Sequence, residues 1–546
     1  MLKNFFQQKK INLILITLLL FSLYFSFSIT NIYYNALAGA DNYKYFQNIL
    51  FIFGEANSPY DNQGLIYFFI VSFFIKLRTK SFSYSEDNYY LSDLDKVFLS
   101  ETILFSNLII FIFGLVGLYF FMKIINFTDT RSLFVLIFFC YFPSITYLRM
   151  NMKPEILAFS LLPWIFYYFE NYLDSKKNID LFKIALLVAI TISSKGSIFA
   201  MIVLILFLKY LLHINKFSLK SSFLGLGFLL LFTFSISLEN TQFGIGNLLS
   251  RSPEINYDNK APLNIFWNID IERLLKDPKK DYHRNSLIAI TLIDLNSDYF
   301  ELNWKEDSVL FSKNIKPLVV NENEKLIFEN EKMFNLDTKN KQIVYHGPGQ
   351  NYTHYYLNYI GLIYSIVFIS LLFRMLFKKE NKNKFYLTLP FIGIFILLFH
   401  VVLGFPQNNF DPNTGDTFKV FYYSFLIPYP IIIILKNINT NIKNIIFVTF
   451  FFIFSLVNLG FPKANDENLD LEIIYNVENT IFCEVNKGVI EKSFITANKV
   501  NCQNEEINGP VKTKLINIPY VSVLMSLIIL FYSFKEIFKL KYKHLN

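Results

Sequence analysis

The chain has 546 residues, of which 53% are hydrophobic and 18% aromatic, while only 17% are charged. Soluble domains are about 45–50% apolar and about 25% charged, so this composition is typical of a protein that crosses a membrane several times. The net charge of +8 comes from basic residues that cluster beside apolar segments. Because no nucleic-acid-binding motif accompanies that charge, we expect no nucleic-acid partner.

About twelve apolar segments are long enough, or nearly long enough, to cross a membrane. A helix needs about 17–25 mostly apolar residues to span a bilayer. The predicted spans cover residues 11–30, 102–122, 133–147, 156–172, 181–192, 198–212, 223–238, 360–377, 385–403, 420–435, 445–459 and 520–534. Residues 64–77 form a shorter apolar segment, which we predict to lie along the membrane surface. We interpret the first span as a retained helix, because it is too long for a typical signal peptide.

Basic residues between the spans predict an orientation. With the N-terminus in the cytoplasm, the basic clusters of the short loops and the C-terminal tail all fall inside, as the positive-inside rule requires. This orientation agrees with the rule only if residues 64–77 do not cross the membrane. Most polar residues then lie outside, in segments 31–101, 149–155, 239–356, 404–419 and 460–519. We expect a multi-pass protein of the plasma (inner) membrane, with both termini cytoplasmic and its active site on the extracytoplasmic face.

This layout divides the chain into five regions. Residues 1–238 form an N-terminal transmembrane catalytic module with the outer loop 31–101, and residues 239–357 form an extracytoplasmic domain. Residues 358–459 carry further transmembrane helices, residues 460–519 a last outer loop, and residues 520–546 the final span with a basic tail. Apolar alternations at residues 286–293 and 342–345 predict strands. The predicted fold class is an all-α polytopic membrane bundle with a small mixed α/β extracytoplasmic portion.

The three cysteines fall in two environments. Cys140 lies in a predicted span, where we expect it to fill apolar space. Cys483 and Cys502 share the last outer loop, and an oxidising compartment there permits a disulfide between them. Two free thiols are the alternative.

An acidic residue follows the first span closely. Asp41 is surrounded by Asn42, Tyr43 and Tyr45, whose side chains suit hydrogen bonding to a sugar. Transfer of a sugar to a hydroxyl group needs a base that removes the acceptor's proton, and one carboxylate suffices. We therefore predict that Asp41 is a catalytic base and that Tyr43 binds substrate. The alternative is a solvated or helix-capping aspartate.

A second outer loop combines two cations with a carboxylate. Arg149, Lys153 and Glu155 lie within a few residues of one another, between two predicted spans. Arginine and lysine can hold a phosphate, so Arg149 and Lys153 are predicted to bind substrate, with Glu155 as a catalytic partner of the base. The alternatives are lipid-headgroup contact for the cations and helix capping for Glu155.

Two further places supply candidate substrate-binding residues. Lys195 lies on the predicted outer side, where the positive-inside rule predicts few basic residues. We predict that it binds phosphate; the alternative is that its side chain only extends to the membrane interface. The loop 404–419 leads into paired tyrosines, and there we predict that Lys419 and Tyr422 bind substrate. Tyrosine at this depth is also an ordinary residue of the interfacial belt.

These features together resemble the GT-C superfamily of membrane glycosyltransferases, which includes protein O-mannosyltransferases, aminoarabinose transferases of lipid A modification and oligosaccharyltransferases. The resemblance rests on Asp41 after the first helix, a surface segment behind the Ser58-Pro59-Tyr60 turn, the Lys153-Pro154-Glu155 loop and the Lys195-Gly196 pair. It covers residues 1–240 in layout, and residues 416–423 loosely. It implies a sugar donor linked to a polyprenyl phosphate or pyrophosphate. Many members carry a paired acidic motif where this chain has Asn42, which leaves metal use open.

The resemblance also implies the partners: a lipid-linked sugar donor, a glycan, lipid or protein acceptor, and membrane lipid. The cofactor is unknown from the sequence, because oxygen ligands such as Asp41 and Glu155 can hold a divalent cation but nothing requires one. One alternative is a surface-polysaccharide polymerase or ligase of another membrane fold, which would depend more on Arg284 and His346. A transporter is the other, and it should show mid-span ionisable residues and repeat symmetry.

Overall fold

The computed structural model is mostly helical, with little sheet. Its helical segments dominate the N-terminal half, and the short strands lie in the polar segments between them. The residues that the structure describes are 12–24, 27, 40–59, 64–85, 90–91, 93–140, 142, 145, 148–149, 152–245, 264, 267–276, 283, 286–295, 317–320, 326–328, 334–337, 342–345, 359–377, 383–403, 425–437 and 510–543.

The helices follow the apolar segments of the sequence. In chain order they are α1 (Asn12–Tyr24), α2 (Ala40–Phe53), α3 (Ile66–Arg78), α4 (Asp93–Ile124), α5 (Asp129–Phe139), α6 (Ile156–Ser175), α7 (Asn178–Ile192), α8 (Gly196–Leu212), α9 (Leu219–Gln242), α10 (Ile271–Lys276), α11 (Leu287–Leu295), α12 (Tyr359–Phe377), α13 (Lys384–Leu403), α14 (Pro428–Asn437) and α15 (Tyr520–Lys543).

Three helices in the described part of the chain are long and apolar enough to cross a membrane. They are Phe98–Ile124 within α4, Leu219–Gln242, and Tyr520–Lys539 within α15. All three coincide with predicted spans, which supports membrane association. The total of about twelve spans stays a prediction, because it includes helices shorter than a bilayer requires and residues outside the described ranges.

The core of the bundle is the contact between α4 and α6, where two glycines let the helices approach closely. A Cβ atom added at Gly114 would lie 2.9 Å from Phe159 and from the Cα atom of Ser160, and one added at Gly117 would lie 2.7 Å from Trp164. Ser160 donates across this contact to the carbonyl of Ile110, at 2.6 Å. In lipid, the hydrophobic effect does not drive helices together. Helices there associate through close packing of small residues and through interhelical hydrogen bonds.

Helix α6 carries a buried or partly buried carboxylate at each end. Glu155 immediately precedes the helix and Glu170 lies in its last third. At a rise of about 1.5 Å per residue, the two backbones are roughly 22 Å apart along the helix axis. We call the two ends of the bundle the Glu155 end and the Glu170 end.

Short antiparallel strands join distant parts of the chain. Strand β1 (Ser81–Ser85) lies between β2 (Tyr90–Leu91) and β7 (Pro510–Lys512), and Phe82 is in register with Val511. Two separate hairpins pair β3 (Pro317–Val320) with β4 (Leu326–Phe328), and β5 (Phe334–Asp337) with β6 (Gln342–Tyr345).

One strand prediction is confirmed and the other is wrong. Residues 342–345 form β6, whereas most of residues 286–293 belong to helix α11. The hydroxyl of Ser286 accepts a hydrogen bond from the backbone N–H of Ala289, so Ser286 caps this helix. A nearly continuous apolar run is compatible with a buried strand and with a buried helix. The serine at the helix N-cap is the sequence feature that distinguishes the two here.

The segment 510–519, which we call the C-terminal strap, closes over the end of α2. The N–H and hydroxyl of Thr513 donate to the carbonyls of Lys80 and Thr79, at 2.9 and 2.6 Å. The N–H of Ile516 and the side-chain amide of Asn517 then donate to the carbonyls of Ile52 and Phe51, at 2.9 and 2.7 Å. The strap thus adds hydrogen bonds to carbonyls in the last turn of α2, of which the Phe51 carbonyl also accepts from the Gly54 N–H.

Candidate functional site

Glu155 and Lys195 form an ion pair at the Glu155 end. The Lys195 Nζ lies 3.2 Å from the Glu155 Oε1, and the two side chains are 19% and 1% exposed. Glu155 occupies the residue before α6 but makes no capping hydrogen bond with its side chain, so capping is not its role. Its second oxygen, Oε2, is buried without a hydrogen-bond partner among the described residues. Two residues that the sequence singled out independently are therefore in contact.

Lys153 lies at the same end, turned toward helix α2. Its ammonium group is 5.1 Å from the centre of the Tyr45 ring, and its side chain is buried. Tyr67 at the start of α3 interacts electrostatically with both Glu155 and Lys153. Burial raises the pKa of the Tyr67 hydroxyl well above its ordinary value, so the hydroxyl stays protonated and donates to Asn107, at 2.8 Å.

Arg149 is enclosed by protein. Its side chain is 2% exposed, and its guanidinium group lies 5.6 Å from the centre of the Phe111 ring. Its carbonyl accepts a hydrogen bond from the Asn107 amide, at 2.9 Å. This burial argues against lipid-headgroup contact for Arg149, and the same holds for Lys153, which is also 2% exposed. Lys195, the most exposed of the three cations, is the one best placed to meet a phosphate.

Asp41 and Tyr43 lie in the first turn of α2. Their side chains are outside the described part of the structure, so the roles of both residues stay predictions. The backbone still limits where Asp41 lies. It precedes Tyr45 by about one turn of α2. Because the Lys153 ammonium contacts the Tyr45 ring, α2 brings the Asp41 backbone to the neighbourhood of Lys153.

An apolar groove runs along α8, beginning beside Lys195. It has a volume of about 460 Å³. Apart from Ile192 at the end of α7, its lining residues recur on one face of α8, and they are Gly196, Phe199, Ala200, Val203, Leu204 and Phe207. From Gly196 to Phe207 this face extends roughly 16 Å along the helix. Lys195, a partly exposed cation, therefore directly precedes in the chain the helix face that lines the apolar groove.

A second carboxylate, Glu239 near the end of α9, holds the start of α15. It accepts hydrogen bonds from the backbone N–H groups of Val521 and Ser522, at 2.5 and 3.0 Å, and from the Ser522 hydroxyl, at 2.6 Å. A carboxylate at a helix N-terminus is favoured by the helix dipole. The Ser522 hydroxyl is also 3.3 Å from that of Ser193. A Cβ atom added at Gly64 would lie 2.1 Å from the Ser193 Cα atom, so four segments meet here.

The remaining predicted residues lie outside the described part of the chain. They are Lys419, Tyr422, Cys483, Cys502, Arg284 and His346. Cys140 is buried in the hydrophobic core, as predicted. Among the described residues, no three His, Cys, Asp or Glu side chains lie together in a way that would hold a metal ion.

Sequence reasoning missed a buried cluster at the Glu170 end. The Glu170 Oε1 lies 2.6 Å from the Lys209 Nζ and 2.5 Å from the Tyr386 hydroxyl, which is itself 2.6 Å from the Nζ. Lys209 is 1% exposed, and the aromatic rings of Phe169 and Phe385 lie about 5 Å from its ammonium group. An ionisable residue inside an apolar helix was the signal, since such residues are rare unless they have partners.

Comparisons with protein-family models, with curated proteins and with solved structures gave no match to this chain. The family resemblance therefore stays a prediction.

Proposed function

We propose that this protein is a membrane glycosyltransferase of the GT-C type, which transfers a sugar from a polyprenyl-phosphate or polyprenyl-pyrophosphate donor to an acceptor at the extracytoplasmic face. The observation that carries the proposal is the Glu155–Lys195 pair, whose lysine directly precedes Gly196, the first residue of α8 to line the apolar groove. A lipid-linked sugar has a charged phosphate next to a long apolar tail. The lysine of the pair can bind the phosphate, and the groove can accommodate the apolar tail.

The groove and the cation have different tasks in this proposal. Lipid tails are as apolar as the groove, so a tail gains little free energy by leaving the bilayer for the protein surface. The groove therefore aligns the donor, while attraction between Lys195 and the phosphate supplies affinity. Lys195 is 19% exposed and can turn from Glu155 to the phosphate without leaving its position at the start of α8.

The proposed chemistry is a displacement at the anomeric carbon of the donor. The Asp41 carboxylate takes the proton of the acceptor hydroxyl as its oxygen bonds to that carbon. The bond from the carbon to the phosphate oxygen breaks, and the electron pair leaves with the polyprenyl phosphate. Lys195 stabilises the negative charge on the departing phosphate, which therefore needs no proton. Glu155 holds Lys195 in position until the donor binds.

The contacts at the two ends of the bundle support the proposed orientation. At the Glu155 end, β1 pairs with β7 and Glu239 contacts α15, so segments predicted to lie outside meet one another. At the Glu170 end, Lys176 donates to the carbonyl of Lys216 at 2.8 Å, and Lys183 lies 3.9 Å from Glu536. These residues all belong to segments predicted to be cytoplasmic.

The catalytic part of the proposal is tested by Asp41→Asn in proteoliposomes supplied with radiolabelled polyprenyl-phosphate hexoses. We expect loss of sugar transfer by about 10²–10⁴-fold with normal membrane insertion, because the amide cannot accept the proton. Glu55→Gln is the matched control, since Glu55 is an exposed carboxylate in the same outer loop. Full activity in Asp41→Asn would remove Asp41 from the mechanism.

The donor site is tested by filling the groove. Ala200→Trp places a large ring between Phe199 and Val203, and we expect a higher KM for the lipid-linked donor with little change for the acceptor. Leu230→Trp on α9 is the control, because Leu230 is 60% exposed on an apolar helix outside the groove. If both variants behave alike, the groove is not where the donor tail lies.

A further inference from the structure

Two buried amides at the Glu155 end have no hydrogen-bond partners among the residues that the structure describes. Asn48 on α2 is fully buried and Asn240 on α9 is 3% exposed. Neither the nitrogen nor the oxygen of either side-chain amide has a partner within the described structure. Buried polar groups nearly always have partners, and an amide without one destabilises the fold. Two such residues at one end of a bundle therefore call for a functional reason.

The segments that carry these two amides touch each other at one point. The ring of Phe51 on α2 meets the ring of Phe243, just beyond α9, edge to face with centres 5.7 Å apart. Asn48 and Asn240 each precede one of these phenylalanines by three residues, which is one helical turn on the same face. The two asparagines thus lie one turn from the point where their segments touch, next to the apolar cluster that Leu65 completes.

The same region is linked to the proposed donor site through a chain of contacts. Asn240 follows Glu239, which accepts a hydrogen bond from Ser522. Ser522 in turn contacts Ser193, at 3.3 Å, two residues before Lys195. On the other side, Asn48 follows Tyr45 by one turn of α2. Asn240 is therefore linked by contacts to the turn before Lys195, and Asn48 lies on the helix that carries Asp41.

We propose that Asn48 and Asn240 bind the sugar ring of the donor, an inference that rests on the proposed transferase function. A primary amide donates and accepts hydrogen bonds without carrying charge, which matches the hydroxyl groups of a sugar. The Glu239 carboxylate, which precedes Asn240, is already engaged by three donors. Because the two amides carry no charge, the sugar that fits them is a neutral hexose rather than an amino sugar or a uronic acid. Buried amides of this kind reject analogues that lack the matching hydroxyl.

The test compares stability with sugar binding in the purified full chain. Asn48→Leu and Asn240→Leu exchange an amide without partners for an apolar side chain of similar size, so Tm without sugar is unchanged or higher. Methyl β-D-glucopyranoside raises the Tm of the wild type by mass action, and the rise is lost in both variants. Methyl glycosides of glucosamine and glucuronic acid give smaller rises in the wild type.

Asn171→Leu is the control, because the Asn171 amide donates to Asp180 at 2.7 Å, at the Glu170 end. It lowers Tm and keeps the response to sugar. Lower Tm in both Asn48→Leu and Asn240→Leu, with the sugar response kept, would show a structural role and overturn the inference. A wild type that does not respond to the neutral glycoside would do the same. If a leucine variant does not accumulate, the serine variants at the same positions give the same readout.

The donor assay separates this inference from the proposed function. Where the wild type transfers sugar from a polyprenyl-phosphate hexose, each leucine variant raises the KM for that donor about tenfold, as expected for one lost hydrogen bond to substrate. Unchanged KM in both variants would refute the amide site while leaving the transferase intact. Absence of transfer in the wild type would refute the transferase, and the glycoside experiment would still test the amides.

Discussion

The two ends of α6 solve the problem of buried charge in opposite ways. At the Glu170 end, Lys209 and Tyr386 enclose the carboxylate, and Asp180 nearby is bound by Lys183, Asn171 and Ser175. At the Glu155 end, one carboxylate oxygen and the amides of Asn48 and Asn240 lack partners among the described residues. The first end satisfies its carboxylates with neighbouring side chains, although the Tyr168 and Ser533 hydroxyls there lack partners in the described structure, whereas the second end leaves a carboxylate oxygen and two amides without partners. In natural proteins, buried polar groups without hydrogen-bond partners are found chiefly at binding and catalytic sites.

The largest effect on stability is expected at the Glu170 end. Glu170→Gln leaves the Lys209 ammonium group buried without its carboxylate, which costs about 3–5 kcal/mol of unfolding free energy. Unfolding in mixed detergent micelles measures the loss. The double variant Glu170→Gln, Lys209→Met should recover most of it, because no isolated charge remains. A loss below about 1 kcal/mol in the single variant would mean that the cluster does not anchor this end.

A smaller loss is expected where the Glu155 end is most crowded. Gly64→Ala places a Cβ atom 2.1 Å from the Ser193 Cα atom, and a backbone atom cannot move aside as a side chain can. We expect a loss of about 1–3 kcal/mol and reduced sugar transfer, since Ser193 positions the turn before Lys195. Gly227→Ala is the control, because a Cβ atom there meets nothing within 4 Å. Normal activity in Gly64→Ala would separate this contact from the site.

The carboxylate that holds α15 should contribute less. Glu239→Gln keeps one acceptor oxygen but removes the charge at the helix N-terminus, so we expect a loss of about 1–2 kcal/mol. Hydrogen exchange of the Val521 and Ser522 amides reports the change locally. Exchange at those amides that matches the wild type would show that the cap is dispensable.

The smallest effect is expected for an exposed ion pair at the Glu170 end. Lys539 lies 2.9 Å from Glu536, but its side chain is 60% exposed. Lys539→Ala should change the unfolding free energy by about 0.5 kcal/mol or less, because water screens such pairs. A loss as large as that of Glu170→Gln would mean that exposure is not what separates the strong pairs from the weak ones.

The sequence predicted where helices form better than what they contact. The predicted span 198–212 lies inside α8, because a long apolar run followed by polar residues leaves little freedom in its bounds. Glu155 and Lys195 were both singled out, but their contact depends on how α6 and α8 pack, which no local pattern encodes. Lys209 lies inside the predicted span 198–212, but no local pattern predicts its contacts with Glu170 and Tyr386.

The asparagines show a different limit of sequence reasoning. An amide in a helix has no characteristic spacing or charge, so nothing marks Asn48 or Asn240 in the sequence. They stand out only once burial is known and their partners can be counted. Asp41 shows the reverse case, because the sequence argument for it is chemical and depends on a side chain outside the described part of the structure.

The pairing of β1 with β7 sets an order for biogenesis. Several hundred residues separate the two strands, so the ribosome completes β7 tens of seconds after β1, at about 5–20 residues per second. Until then the edge of β1 and the end of α2 lack the partners that the C-terminal strap supplies. Nascent chains that stop before residue 510 should therefore insert their early helices yet remain sensitive to protease at the Glu155 end. Assembly of this end is thus a late step, which delays activity until translation is nearly finished.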